Sequence, residues 1–468
     1  MKAFMKPKGA RMRTPGLTRR AFLDRATRLS LLAMLVPWRA ACASSGSRVI
    51  VVGAGISGLA AARELVNRGH AVTIVEGRYR VGGRIWTDRS LGVPVDCGAS
   101  WIHGVRGNPL TELTGQFGIR TVPTDFDAAP LYDIDGTEVP DALLERALEK
   151  MERFVRDARR ESGPDRGIGL ALRESIQERI TDERMQRIVT WLVRSEISVE
   201  YATDSETISR KHYDEDEQYP GHHVVFPDGY GSLVRALADQ LAREGVEFQL
   251  NQPVRLIRTT TQAARVETAQ SSFEGDSVIV TLPLGVLKAG TVRFEPELPD
   301  WKRQTIQRLG FGTMNKVFLR FPNIFWPQDA HFIGFVAERA GRFPEFLNYS
   351  VYNGQPLLMA FSAGRSAHFE GTDAQVAAEA RAVLGRNFGQ IPDASAFVVT
   401  RWHRDPFALG SYSHWAVGTS SDEFRALGRP IGRLFFAGEA CNPTYFATVH
   451  GALQSGRAAA NLAHRQIS

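Results

Sequence analysis

Cysteine is scarce, with three in 468 residues, which excludes a disulfide-stapled scaffold. Long apolar runs are missing too. A spanning helix needs about 20 apolar residues, and the run near the start, Leu29 to Val36, is far shorter, so neither a multi-span protein nor a stable membrane span is expected. Acids are nearly absent from the first 43 positions, where ten Lys and Arg face one acid, Asp24. From Ser44 onward acids slightly outnumber bases, so the formal net charge of +6 belongs to the leader. The body lacks the basic surface that nucleic acid requires. The eleven histidines form no H-x-x-x-H pattern and the cysteines no clustered spacing, so no metal site is expected. What remains, 43% hydrophobic and 23% charged, is the balance of a soluble globular protein of two or three domains.

The leader has a basic n-region, then Thr18-Arg19-Arg20-Ala21-Phe22-Leu23, which resembles the bacterial twin-arginine motif. The apolar run follows, and Ala41-Cys42-Ala43 offers an A-x-A cleavage site. The expectation is a signal peptide over residues 1–43, carried by the twin-arginine machinery to the periplasm. That route takes folded proteins, which suits a chain that loads a cofactor first. A disordered basic tail or a cytosolic anchor are the plainer readings. Cys42 as a lipoprotein cysteine is a minority reading, because Arg39 stands where that motif wants Leu. After cleavage Cys97 and Cys441 would remain, and nothing demands that they pair.

The mature chain opens on a nucleotide signature. Arg48 to Val52 reads as a buried parallel strand, Gly53-Ala54-Gly55-Ile56-Ser57-Gly58 as a tight turn, Leu59 to Arg68 as a helix, and Ala71 to Val75 as a second strand ending at Glu76. Strand, G-x-G-x-x-G, helix, strand, acid is the order a dinucleotide site requires. Gly53, Gly55 and Gly58 permit the turn and close approach to a pyrophosphate. The helix end supplies N–H groups. Glu76 is placed for ribose hydroxyls and would repel a 2′-phosphate, which disfavours NADP. A second glycine turn follows, Gly77-Arg78-Tyr79-Arg80-Val81-Gly82-Gly83-Arg84, whose Arg78 and Arg84 can serve as forked phosphate donors. The C-terminus adds a strand from Leu434 to Ala437, then Gly438-Glu439, and a helix from about Thr448 to His464.

Together these segments resemble the FAD-dependent amine oxidase superfamily, in which a C-terminal strand and helix return to close the flavin site. The likeness narrows along the chain. Gly98-Ala99-Ser100-Trp101-Ile102-His103-Gly104 is similar to the flavin-edge segment of polyamine and spermine oxidases, and Val280 to Lys288, including Pro283, to a strand and turn shared with flavin-type histone-lysine demethylases. Gly310 to Val317 resembles the segment carrying the family's active-site lysine, Arg401 to Ser413 its substrate cage, and Thr448 to Gly456 its last flavin contact. The stretch from Asp405 to Gly418 has no cysteine, so the resemblance implies non-covalent FAD, unlike monoamine oxidases. The chain has no room for the demethylases' extra helical domain and inserted coiled coil.

The implied fold is α/β: a Rossmann-like FAD-binding domain (residues 47–104, 227–296 and 425–468) interleaved with an α+β substrate-binding domain (105–226 and 297–424). Asp141 to Glu161 reads as an amphipathic helix through Leu144, Leu148, Met151 and Val155. Val246 to Phe248, Val254 to Ile257 and Ser277 to Leu282 read as strands of the cofactor domain.

The implied activity is oxidation of a polyamine or related secondary amine to an imine, hydrolysed to aldehyde plus amine, with O2 reduced to H2O2. The alternative is an oxidase or dehydrogenase of a monoamine or L-amino acid, with a non-oxygen acceptor open. The resemblance makes Lys316 the catalytic lysine that holds a water near the flavin; spacing alone would read a surface lysine on an alternating strand. His103 is a candidate to hydrogen-bond the substrate nitrogen or take its proton, or a turn histidine. Tyr412 and Trp402 match cage aromatics, which attract a cation and pack its stem, with ordinary packing as the other reading for Trp402. Glu196 and Glu200 fall in a segment resembling the substrate-channel helix, where a distal ammonium would bind, although solvated helix acids are common. The run Asp214 to Glu217 reads as a solvated face able to steer a polycation. Cofactor contacts are expected from Gly53, Gly55, Ser57, Gly58, Glu76, Arg78, Gly83, Arg84, Gly98, Ala99, Ser100, Trp101, Val254 (by its backbone, to adenine), Pro283, Glu439 (to hydroxyls), Thr448 and Val449.

Overall fold

Arg48–Val52 is apolar on both faces because both faces are covered. It is the middle of a five-stranded parallel sheet, ordered Leu434–Phe436, Ser277–Val280, Arg48–Val52, Ala71–Val75, Glu247–Gln249. Val49 and Val51 pack with the helices Ile56–Val66, Gly231–Arg243 and Val449–Ile467, through Leu59, Leu233, Leu237 and Leu453. Ile50 and Val52 turn the other way, into a core shared with Ile257 and Val266 of a second sheet. That sheet has four strands, ordered Ser272–Gly275, Ala264–Thr268, Val254–Thr259, Arg293–Glu295. Alternation of side chains along one strand thus supplies two cores. The computed structural model describes residues 46–338 and 342–468, so the leader and its expected cleavage site lie outside the described residues.

Several expected bounds move. The first helix begins at Ile56, since Gly55 is its N-cap, and its C-cap is Asn67. The strand expected over Ser277 to Leu282 ends at Val280, and Thr281 to Pro283 turn into the cavity described below. Val254–Thr259 belongs to the four-stranded sheet, while Glu247–Gln249 joins the parallel one. The helix Asp141–Arg160 buries Ala147, Met151, Phe154 and Ala158, with Leu144, Leu148 and Val155 on its flanks.

The other half is built on a six-stranded sheet, ordered Ala396–Val399, Met314–Arg320, Leu357–Ala363, Glu345–Asn348, Phe332–Phe335, Leu131–Tyr132. On one face Val317, Leu319, Leu358 and Ala360 pack against Val376, Ala380 and Leu384 of the helix Asp373–Phe388. On the other, Phe318, Met359 and Phe361 meet Val95 and Cys97 from the cofactor half, together with Val225. The halves share packing elsewhere as well. Trp101–Ile102 pairs with His223–Val225, and the helix Pro109–Gln116 buries Leu110 and Leu113 among the cofactor-side helices. The described residues form one unit.

Candidate active site

A cavity of about 570 Å³ runs between the two halves. At its cofactor end lies the glycine turn. Gly53 has φ +108°, and a Cβ there would sit 2.4 Å from Thr281 Oγ1. Gly55, also in the wall, has open space where its Cβ would point. Ser57 Oγ lines the same wall, buried and without a hydrogen-bond partner. An open glycine cradle and an orphaned hydroxyl at a helix N-terminus fit an anionic group such as the FAD pyrophosphate. Gly58 is absent from the wall. A Cβ on it would lie 2.0 Å from Gly53 O, so its part is close packing of helix on turn rather than ligand contact.

Glu76 lines the cavity with both oxygens held by backbone: Ala54 N donates to Oε2 and Arg78 N to Oε1, each at 2.8 Å. Gly83 crosses close to Gly55, 3.5 Å from a built Cβ to Cα. The two arginines of the second glycine turn also line the wall, and both have carboxylate partners. The Arg78 fork closes on Asp405 at 2.8 and 2.6 Å. Arg84 Nη1 donates to Ser411 O (2.7 Å) and Glu439 Oε1 (2.8 Å). A guanidinium screened from water is best satisfied by a carboxylate that can accept bidentately, and Asp405 supplies one. Glu439 likewise does not stand free for hydroxyls. It also accepts from Ser413 Oγ and Ala447 N, tying together the loops that enclose the cavity. Val254 and Pro283 line the wall. Thr448 caps the helix Val449–Ile467, accepting from Gly451 N at 2.9 Å, and both Thr448 and Val449 face the cavity.

Lys316 sits in the strand Met314–Arg320, second from the edge of the six-stranded sheet. Alternation puts it on the same face as Phe318, toward the cofactor half. Its Nζ donates to Asp96 O (2.9 Å), Gly98 O (2.6 Å) and Ser100 Oγ (2.7 Å). It is not the surface lysine of an alternating strand: it is 4% exposed. Burial pushes its ammonium down to about 8, against the pull of Asp96. All three of its donors are taken, so it anchors the segment Gly98, Ala99, Ser100, Trp101, which lines the cavity. It can hold a water only by releasing one acceptor, or as the neutral amine. Asp96 itself is pushed up to about 6 by burial, while Thr87 Oγ1 and Tyr230 N donate to its carboxylate.

His103 lines the cavity, with Nδ1 3.3 Å from His223 Nδ1. Burial, then His223 and His450, push it down to about 3. That favours the neutral imidazole, the form that can hydrogen-bond a substrate nitrogen. Tyr412 is in the wall, its hydroxyl donating to Val199 O at 3.1 Å. Trp402 is in the wall too, but its indole N–H donates to Cys97 O at 2.9 Å and its ring meets Trp86 edge-on. It is a packed wall residue rather than a free cage face. Cys97 and Cys441 are free thiols.

Glu196 and Glu200 fall in and just after a π-helical turn, Val193–Val199, that continues the helix Glu183–Leu192. Glu200 lines the cavity and Glu196 does not. Glu200 keeps an exposed side chain, yet its place in the cavity wall desolvates the carboxyl, and this, then Asp216 and Glu196, pushes it up to about 7. The acidic run divides: Asp214 and Glu215 face solvent, whereas Asp216 and Glu217 line the cavity. Tyr201 donates to Asp216 at 3.1 Å. Sequence reasoning missed Glu345, pushed up to about 7 by burial, and the aromatic wall of Phe126, Phe332 and Phe361. No motif marks these. The one signal was a lone acid heading a strand whose next residues are Phe, Leu and Asn.

The family profile described as flavin containing amine oxidoreductase matches residues 56–464. The chain is 36% identical over 448 residues to polyamine oxidase 5 of Oryza sativa subsp. japonica, covering 91% of this chain and 89% of that protein. It is 36% identical over 455 residues to polyamine oxidase 2 of Arabidopsis thaliana, covering 90% of each. Its backbone is similar to that of cyclohexylamine oxidase from Brevibacterium oxydans IH-35A, with TM-score 0.73, 22% identity, and 90% and 99% of the two chains covered.

Proposed function

Since the chain belongs to the flavin containing amine oxidoreductase family and is an FAD-dependent amine oxidase, we propose that its substrate is a polyamine or related secondary amine. The product would be an imine, hydrolysed to aldehyde plus amine, with O2 reduced to H2O2. The observation that supports this substrate class is the charge of the cavity. The wall carries Glu200, Asp216, Glu217 and Glu345, while of its arginines Arg78 and Arg84 are already ion-paired and Arg255 follows Val254 on a strand of the cofactor half. That field favours a multiply cationic amine over the carboxylate of an amino acid.

Bound FAD supplies the acceptor for the hydride equivalent and passes electrons on. The protein's residues do the rest. Ser57, Gly53 and Gly55 would hold the pyrophosphate, and Glu76 would take ribose hydroxyls. The helix starting at Val449 would offer N–H groups and the positive end of its dipole to negative charge on the reduced cofactor. Trp101, Phe361 and Tyr412 wall the reacting carbon and exclude water. Neutral His103 offers a hydrogen bond to the substrate nitrogen. Lys316, part-neutral near pH 8, holds a water when the Ser100 hydroxyl turns away.

Anaerobic mixing with polyamines, monoamines and L-amino acids, watching flavin absorbance, tests the proposal. Rapid bleaching by polyamines and reoxidation in air are expected. Bleaching by monoamines or amino acids alone would overturn the substrate class, and flavin that stays reduced in air would overturn O2 as acceptor.

We also propose export to the periplasm by the twin-arginine machinery, supported by residues 18–43 of the sequence. Arg19→Lys together with Arg20→Lys should retain the protein in the cytoplasm. Unchanged fractionation would sink it.

A further inference from the structure

We propose that Glu345 recognises a second cationic nitrogen of the substrate and so selects diamines and polyamines over monoamines. This rests on the polyamine reading above and gives it a residue. The argument begins in the six-stranded sheet. Met314–Arg320, Leu357–Ala363 and Glu345–Asn348 are consecutive neighbours. Lys316 pairs with Phe361, and Phe346 pairs with Ala360, which sets Glu345 opposite Phe361. Directly opposed residues project from the same face. Lys316, Phe361 and Glu345 therefore form a row across three strands, and all three line the cavity. Two strand spacings, roughly 10 Å, separate the ends of the row at the backbone. A lysine beside the flavin-edge segment 98–101, an aromatic face and a carboxylate in that order match a reacting C–N bond, a methylene chain and an ammonium.

The carboxylate is held but not neutralised. Ser195 Oγ donates to Glu345 Oε2 at 2.7 Å, and among the described residues no Lys or Arg forms an ion pair with it. Glu200, on the same wall, has neither a hydrogen-bond partner nor an ion pair among the described residues. Burial first, then Glu196 and Glu200, push Glu345 up to about 7, the cost of enclosing carboxylates without a cation. An ammonium from the substrate would reverse that cost. The fold gains nothing from leaving it, since a glutamine would accept the Ser195 bond equally well. That contrast makes the role testable.

The test uses the FAD-loaded full chain as wild type, E345Q and E345D. The substrates are spermidine and a secondary monoamine with the same carbon skeleton but no terminal amino groups. In E345Q, KM for spermidine should rise at least about tenfold, with kcat changed little and the monoamine's kcat/KM unchanged. E345D, which keeps the charge on a shorter stem, should fall between. Equal losses on both substrates, or no loss on either, would overturn the inference. If the wild type oxidises only the monoamine, the substrate reading fails on its own. Glu345 is then judged by spermidine as a competitive inhibitor: a Ki at least about tenfold weaker in E345Q sustains the inference, and an equal Ki overturns it.

Discussion

The two ends of the cavity treat carboxylates in opposite ways. At the cofactor end each acid has a partner: Asp405 takes the fork of Arg78, Glu439 takes Arg84, and Glu76 takes two backbone N–H groups. At the amine end Glu200, Asp216 and Glu345 have no cationic partner among the described residues, and burial pushes all three up. Paired acids organise loops around a ligand that stays. Unpaired ones leave a field that is completed only when a cation arrives. Lys316 stands at the junction, on the amine-side sheet with its bonds on the cofactor-side segment 96–100.

The comparison is sharpened most at that junction. Lys316→Met should slow anaerobic flavin reduction or reoxidation by about 100-fold while leaving FAD content intact. Wild-type rates in both half-reactions would remove Lys316 from the chemistry. Next come the glycines, which separate packing from ligand contact. Gly58→Ala forces a Cβ against Gly53 O and should lower thermal stability by about 1–3 kcal/mol even without FAD. Gly55→Ala points into open space, so the apoprotein should melt like wild type and only FAD affinity should fall. Matching behaviour of the two would contradict the assigned roles.

The charge variants follow. Glu439→Gln leaves Arg84 without its anion and should cost about 1–2 kcal/mol, since Arg84 is part-exposed and screened. Denaturant unfolding reads this directly. Glu345→Gln should do the reverse. The folded Glu345 binds its proton more tightly than the unfolded chain does, its carboxyl rising from 4.5 to about 7. The contribution of Glu345 to wild-type stability therefore falls as pH rises from about 4.5 to 7, then levels off. E345Q lacks that loss. It should match wild type near pH 4 and exceed it above pH 7 by about 1–2 kcal/mol, after allowance for solvent in the cavity. A variant less stable than wild type at pH 8 would mean that Glu345 is structurally paired after all.

Much of the cofactor end was legible from local pattern. A buried β-branched run, glycines at fixed offsets and an acid ending the second strand admit few other structures, because each constraint acts within a few residues. Lys316, Tyr412 and Thr448 came from motif likeness, and the cavity holds all three. What local pattern could not show is pairing. Arg78 and Asp405 lie 327 residues apart, and nothing near either announces the other. Glu345 was invisible for the same reason, as was the division of the acidic run at Asp216.

The sequence by itself determined the parallel cofactor sheet, the glycine turn and the family, because steric freedom at glycine and the alternation of strands are local properties of the chain. Only the tertiary structure decided which charges are neutralised and which are left bare. Ion pairing depends on distance in space, and burial on the summed presence of residues from every part of the chain. The order of strands that sets Lys316, Phe361 and Glu345 in one row is a property of the folded sheet, written in no single stretch of the sequence.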